Sequence, residues 1–303
     1  MRYFLHTNNP GVALRRYALP TSPPNRAYAQ AAVALLPKHN HGPLSLLVAD
    51  GSFRRVHNGV MYRVAPFPLN GGSVYRLGNG LLGLSPEACF VQLAITLPFL
   101  KAVQAGVDLC GTYRIDEYDR SVPRSPITST ERIRSFVKRM PGAYGTKKAL
   151  KVLNWVADGS ASPAETFLYL MVRLPRRLGG AGFSPCVLNK EFRISGEYAR
   201  VFGSSTIRPD VYLSRYGVAL EYDSLLHHGT EPDIERDSLR RSIFAGLGVR
   251  AVSVTRAELY RPDGFAVFEK SLHTLTGKKW HALSDAHRQA RTALRRELLR
   301  NDW

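Results

Sequence analysis

The stretch that decides the fold runs from Arg208 to His228 and reads RPDVYLSRYGVALEYDSLLHH. Residues Val211 to Leu213 alternate in a way that predicts a short strand, and Val218 to Tyr222 are apolar enough to predict a central strand. Between them, the polar residues from Ser214 to Gly217 predict a turn. The stretch therefore predicts a β-hairpin in the middle of a sheet.

Acidic side chains stand at the open end of this hairpin. Asp210 comes before the first strand, and Glu221 and Asp223 close the second, with His227 and His228 just beyond. The open ends of two antiparallel strands lie side by side, so we expect the three carboxylates to converge. Clustered carboxylates repel one another and resist burial, and a divalent cation such as Mg²⁺ relieves that repulsion. The pattern predicts a metal-dependent phosphodiesterase.

The same residues resemble a known signature. Pro209-Asp210, ten further residues and then Glu221-Tyr222-Asp223 are similar to the PD-(D/E)xK nuclease motif, with its lysine replaced by aspartate. The pattern is nearest to the very-short-patch-repair-like endonucleases, a restriction-endonuclease-like family. In that family the second strand ends in an acid, any residue, Asp and a small residue, followed by a histidine. Here Ser224 is the small residue, and His227 or His228 is the histidine.

The resemblance extends on both sides of the hairpin and covers roughly residues 160–276. Downstream, the family has Asp-x-x-Arg on a helix, a glycine and a final strand, which correspond to residues 237–240, Gly248 and residues 250–255. Upstream, the family has a glutamate on its first helix, which corresponds to Glu165. The resemblance implies an α/β fold with a restriction-endonuclease-like mixed sheet flanked by helices.

The resemblance also implies roles for these residues. Asp210, Glu221 and Asp223 would hold Mg²⁺ or Mn²⁺, and Glu165 would complete the acidic cluster. A histidine would shuttle the proton, with His228 slightly favoured over His227. DNA phosphates would be contacted by arginines near the hairpin, namely Arg208, Arg236, Arg240 and Arg241. Because aspartate cannot supply the positive charge of the motif lysine, another group must supply it.

Each residue also has an ordinary structural interpretation. Ser162-x-x-Glu165 is a capping box that needs no metal, and Asp210 beside a proline is a common turn former. Asp237 and Arg240 are spaced to form an ion pair on a helix. The resemblance instead places Arg240 near the scissile phosphate or bracing the acidic cluster. Vicinal histidines are common in polar loops. These alternatives remain open on the sequence alone.

The composition points to a polyanionic partner. The formal net charge is +18 and the pI is about 10.1, while the hydrophobic content of 44% is ordinary. Such a balance favours nucleic acid before membrane, although a basic solvated surface would give the same numbers. The longest apolar run, residues 88–100, is too short to span a bilayer. Three widely spaced cysteines and no evident signal peptide predict a reducing, cytoplasmic setting.

The 303 residues suggest two modest domains. We expect a smaller α+β domain over residues 1–118, a linker with basic helices over 119–157, the endonuclease-like domain over 158–278 and a basic helix over 279–303. The first domain resembles AbiEi-type abortive-infection antitoxins in its Arg54-Arg55 strand and in the helix start at residues 85–94, SPEACFVQLA.

The function that the resemblances imply is a metal-dependent DNA endonuclease, a phosphodiester hydrolase of DNA repair or phage defence. The missing lysine and the antitoxin-like first half favour an alternative. That alternative is a catalytically inactive DNA-binding protein of nuclease fold, acting as an antitoxin with a toxin partner or as a transcriptional regulator.

Overall fold

The computed structural model describes residues 44–48, 56–57, 60–64, 67, 69, 72–78, 81–116, 118–223 and 231–299, and within them the chain is mixed α/β. The chain divides into two compact units. One comprises residues 1–110, 114–156 and 301–303, and the other comprises residues 111–113 and 157–300. In the part of the chain that the structure describes, no helix has the length and apolar character needed to cross a lipid bilayer.

Short strands begin the first unit. Strands β1 (Leu44–Val48), β2 (Val56–His57) and β3 (Val60–Val64) form a sheet in the order β1-β3-β2, with β1 parallel and β2 antiparallel to β3. Strands β4 (Val74–Gly78) and β5 (Leu81–Leu84) form an antiparallel pair. The Arg54-Arg55 strand lies outside the described residues.

Four helices complete the first unit: α1 (Pro86–Thr96), α2 (Phe99–Leu109), α3 (Thr130–Lys138) and α4 (Thr146–Leu153). The predicted helix start at residue 85 is confirmed, because the Ser85 side chain caps α1 by accepting a hydrogen bond from the backbone N–H of Ala88 at 3.1 Å. Helix α1 contacts the other three helices, so the apolar segment that follows the cap is the centre of this unit's core.

The segment predicted as a linker contains a little regular structure. Strand β6 (Tyr113–Ile115) pairs with β7 (Ser121–Pro123), and the irregular residues that follow lead into α3. The basic helices predicted after this segment are present as α3 and α4.

The second unit is built on a four-stranded mixed sheet. Its strands are β8 (Cys186–Leu188), β11 (Val211–Leu213), β12 (Val218–Asp223) and β13 (Arg250–Thr255), in the order β13-β12-β11-β8. Strand β11 is antiparallel to both of its neighbours, β8 and β12, and β13 is parallel to β12. The predicted hairpin is therefore confirmed at the centre of the sheet, with Gly217 at positive φ in its turn.

Helices cover both faces of this sheet. Helix α5 (Pro163–Arg173) contacts β8, β11 and β12, and helix α7 (Glu231–Gly246) makes the crossover from β12 to the parallel strand β13. Between β8 and β11 the chain inserts β9 (Phe192–Arg193), α6 (Gly196–Phe202) and β10 (Thr206–Ile207). A core joins α7, this insertion and the sheet, and its buried members are Ile194, Ile207, Ala219, Ile243, Phe244 and Val249.

The chain continues through α8 (Arg256–Tyr260), α9 (Pro262–Thr276) and α10 (Asp285–Leu299). Helix α10 was predicted as a basic helix, but two of its arginines are buried and add nothing to a basic surface. Arg291 and Arg295 are each only 5% exposed. Arg291 donates to Glu269 Oε2 at 2.7 Å and to the carbonyl of Gly179 at 3.0 Å. These arginines attach α10 to its own unit, because each finds acceptors in the interior.

Candidate functional site

The sheet places two acids opposite each other at the open end of the hairpin. Val211 pairs with Leu220, so Asp210, one residue earlier, stands beside Glu221, one residue later. The hairpin is further tied at this point because the backbone N–H of Tyr222 donates to Asp210 Oδ2 at 2.7 Å. Glu221 is itself paired with Ser253 of the next strand. The expected meeting of the two hairpin ends is therefore seen for Asp210 and Glu221.

A third acid approaches from α5. Ser162 caps this helix by accepting from the N–H of Glu165 at 3.1 Å, which confirms the serine half of the predicted capping box. The glutamate half differs from the prediction, because the carboxylate bonds one residue further back than the Ser162 N–H. The carboxylate of Glu165 accepts from the N–H of Ala161 at 2.8 Å and from the side-chain amide of Asn189 at 2.6 Å. Glu165 also lies near enough to Asp210 for its charge to act on that residue. Capping and membership of the acidic cluster are therefore compatible.

Arg240 of α7 neutralises one of the acids. Its Nε donates to Glu221 Oε1 at 3.1 Å, its terminal nitrogen contacts the same oxygen, and it also donates to the carbonyl of Arg208 at 2.9 Å. Both side chains of the Arg240–Glu221 ion pair are mostly shielded from solvent, at 22% and 19% exposed. Of the alternatives left open for Arg240, the structure has the guanidinium bracing the acidic cluster.

The electrostatics of the cluster are set by burial and by like charge. Burial, followed by the charges of Glu165 and Glu221, raises the pKa of Asp210 from 3.8 to about 8, against the opposing effects of the Tyr222 N–H and Arg240. Burial also raises the pKa of Glu165, against hydrogen bonds from Ala161, Asn189 and Ser162. The site therefore holds more negative charge than its hydrogen bonds compensate, and a cation or a proton is needed to relieve it.

The remaining predicted members of the site are Asp223, His227 and His228. Asp223 closes β12 two residues beyond Glu221, paired with Thr255 of β13. His227 and His228 lie outside the described residues. Among the residues that the structure describes, no three His, Cys, Asp or Glu side chains are grouped so that they could hold a metal ion together. The ligand set Asp210, Glu221 and Asp223 therefore stays a prediction.

Three of the four predicted DNA-contacting arginines are exposed: Arg208, Arg236 and Arg241. The Arg208 guanidinium pairs with Glu191, and that of Arg236 lies 5.8 Å from the centre of the Phe202 ring. Arg240 is half-buried against Glu221. The exposed three are accessible to a phosphate backbone, whereas Arg240 is mostly shielded and paired with Glu221.

Asn189 is a member of the site that the sequence did not indicate. It lies in the segment between β8 and β9, together with Lys190 and Glu191. Asn189 has a positive φ of 46°, which ends β8. A run of Asn, Lys and Glu is unfavourable in a strand, and that composition was the available signal for a break.

Compared with known proteins, the chain matches no protein-family model, no curated protein sequence and no solved structure.

Proposed function

We propose that this protein is a metal-dependent nuclease that hydrolyses phosphodiester bonds of DNA. The observation that carries the proposal is the acidic cluster, in which Asp210 stands beside Glu221 and is repelled by both Glu221 and Glu165. Folding alone gives no reason to gather like charges in a half-buried place, because each makes the ionisation of the others costlier. An acid whose pKa is strongly raised by burial and by neighbouring like charges, as for Asp210, is typical of functional centres.

The donor chemistry fits a hard divalent cation, with Asp210 and Glu221 as the residues that would hold it. Mg²⁺ is bound in proteins by one or two carboxylates together with water and phosphate oxygens, so a third ligand at Asp223 is not required. Arg240 makes both of its contacts to Oε1 of Glu221, so Oε2 is outside that ion pair. Mg²⁺ or Mn²⁺, when bound, supplies a coordinated water of lowered pKa and neutralises charge on the phosphate.

Other residues of the chain would position the cation and supply charge around it. Glu165, fixed by Ala161 and Asn189, would add negative charge beside Asp210 and so favour the cation. Arg240, fixed by its contacts to Glu221 and to the Arg208 carbonyl, would supply beside the acids the positive charge that the motif lysine supplies elsewhere. One of the two histidines after Asp223 would shuttle the proton near neutral pH.

The order of elements supports the same proposal. The chain has its elements in the order found in the very-short-patch-repair-like endonucleases that it resembles. A glutamate on α5 comes first, then the hairpin of β11 and β12, then Asp237 and Arg240 on α7, and β13 is the last strand. The net charge of +18 supports DNA as the substrate, because a polyanion is the partner that such a charge favours.

The experiment is a nicking assay on supercoiled plasmid, linear duplex and single-stranded DNA, with Mg²⁺, with Mn²⁺ and with EDTA. We expect cation-dependent cleavage by the wild type, and loss of cleavage with retained DNA binding in Asp210→Asn. The exposed Asp119 gives the matched control, because Asp119→Asn makes the same chemical change at an exposed residue of the first unit. Absence of cleavage on every DNA form would contradict the proposal.

A second candidate function is a DNA-binding module of nuclease fold that does not cleave, acting as an antitoxin for a toxin partner or as a regulator. Two observations favour it: Asp223 stands where the motif has lysine, and Arg240 already neutralises Glu221. In the same assay this candidate predicts DNA binding that Asp210→Asn does not alter and no cleavage under any cation.

A further inference from the structure

Asn189 connects both acidic elements of the site. It follows the last residue of β8, and its backbone N–H donates to the carbonyl of Asp210 at 3.2 Å. Its side-chain nitrogen donates to Glu165 Oε2 at 2.6 Å and to the carbonyl of Gly159 at 2.9 Å. One residue therefore links the first turn of α5, the loop before it and the start of β11.

The backbone conformation and the side-chain chemistry both favour asparagine here. Asn189 has a φ of 46°, in the left-handed region where asparagine is one of the few residues found often apart from glycine. A carboxamide nitrogen carries two hydrogens, which serve the two acceptors, Glu165 and the Gly159 carbonyl. Aspartate would fit the same backbone but offers no donor when ionised.

The amide of Asn189 and the guanidinium of Arg240 differ in their effect on the charge of the acid that each one binds. Arg240 carries a positive charge and cancels that of Glu221, whereas the amide of Asn189 is neutral. Asn189 therefore fixes the Glu165 carboxylate in place and leaves its negative charge beside Asp210. The site keeps an excess of negative charge that a cation can bind.

We propose that Asn189 is a positioning residue of the acidic site, which holds the Glu165 carboxylate toward Asp210 without cancelling its charge. This inference rests on the proposed nuclease function. A purely structural role would be modest, because the Ser162 cap and the Ala161 N–H still hold the first turn of α5 when Asn189 is replaced.

The test compares Asn189→Gly and Asn189→Asp with the wild type in Mg²⁺-dependent plasmid nicking. Glycine keeps the positive φ and removes the amide, while aspartate keeps the shape and replaces the donor with a further acceptor. We expect kcat to fall about 10- to 100-fold in both variants, as when a residue that orients a metal ligand is removed, with KM for DNA unchanged and more Mg²⁺ required. Asn154→Gly, at the exposed C-terminus of α4, is the matched control and should behave as the wild type.

The outcomes separate this inference from the function on which it rests. If the wild type cleaves and Asn189→Gly has the wild-type kcat and Mg²⁺ dependence, the positioning role is overturned and the nuclease function stands. If both Asn189 variants raise KM and leave kcat unchanged, Asn189 serves DNA binding and the positioning role is again overturned. If the wild type never cleaves, the nuclease function itself fails, and the positioning role fails with it.

Discussion

Replacement of Asp210 by asparagine should stabilise the protein at alkaline pH when no divalent cation is present. Asparagine keeps an oxygen that can accept from the Tyr222 N–H and removes the negative charge that Glu165 and Glu221 repel. Since the pKa of Asp210 is raised above its value in the unfolded chain, the native state holds a proton that the unfolded state has lost. Stability therefore falls as the pH rises from about 4 to about 8, and this loss should disappear in the variant.

The magnitude follows from the same shift. A rise of the pKa from 3.8 to about 8, at 1.36 kcal/mol for each pH unit, corresponds to about 6 kcal/mol of unfolding free energy. Because the Asp210 side chain is half-buried and solvent screens part of the repulsion, we expect about half of this, about 3 kcal/mol, at pH 8.5.

The assay is urea denaturation in EDTA at pH 5 and pH 8.5 for the wild type, Asp210→Asn and the control Asp119→Asn. The difference between Asp210→Asn and the wild type should grow with pH, while the control should follow the wild type at both values. If Asp210→Asn is no more stable than the wild type at pH 8.5, the acids do not repel each other as described, and the reason for expecting a cation is lost.

Three further predictions concern the rest of the second unit and its surface. Glu269→Gln leaves Arg291 buried without its counter-charge and should lower the free energy of unfolding, measured by urea denaturation, by about 3–5 kcal/mol. Asp285→Asn removes one partner of an exposed ion pair and should lower it by less than about 1 kcal/mol. Equal losses would contradict the buried ion pair. Burial, followed by the charge of Arg291, lowers the pKa of His287, so the stability of the protein should fall as the pH drops below 6.5. This fall should be smaller in His287→Gln. A variant with the same dependence of stability on pH as the wild type would refute the prediction. DNA affinity should decrease steeply with salt, and Arg236→Gln should lower the slope of log affinity against log salt by about 1, whereas an unchanged slope would show that Arg236 contacts no phosphate.

Local signals predicted the elements that carry the site. The hairpin strands were expected at residues 211–213 and 218–222 and lie at Val211–Leu213 and Val218–Asp223, because apolar alternation, a polar turn and a glycine all favour the same register. The cap at Ser162 was also predictable, since it depends only on residues within one helical turn. The side-by-side arrangement of Asp210 and Glu221 followed from hairpin geometry alone.

Features that depend on distant partners were not predictable from local sequence. The last helix was predicted as a basic helix, yet its Arg291 is buried because Glu269, 22 residues earlier, and the Gly179 carbonyl, 112 residues earlier, accept from it. The link from Asn189 to Glu165 likewise joins residues 24 apart, through a backbone conformation that the alternation of side chains does not reveal.

The proposed function requires the acids at the open end of the hairpin to bind a divalent cation. The most direct measurement is anomalous X-ray diffraction from a crystal of the protein soaked in Mn²⁺, which locates the ion by its own scattering. We predict an anomalous peak about 2.1 Å from carboxylate oxygens of both Asp210 and Glu221. A crystal with no peak at these acids, in which Arg240 is still paired with Glu221, would contradict the claim.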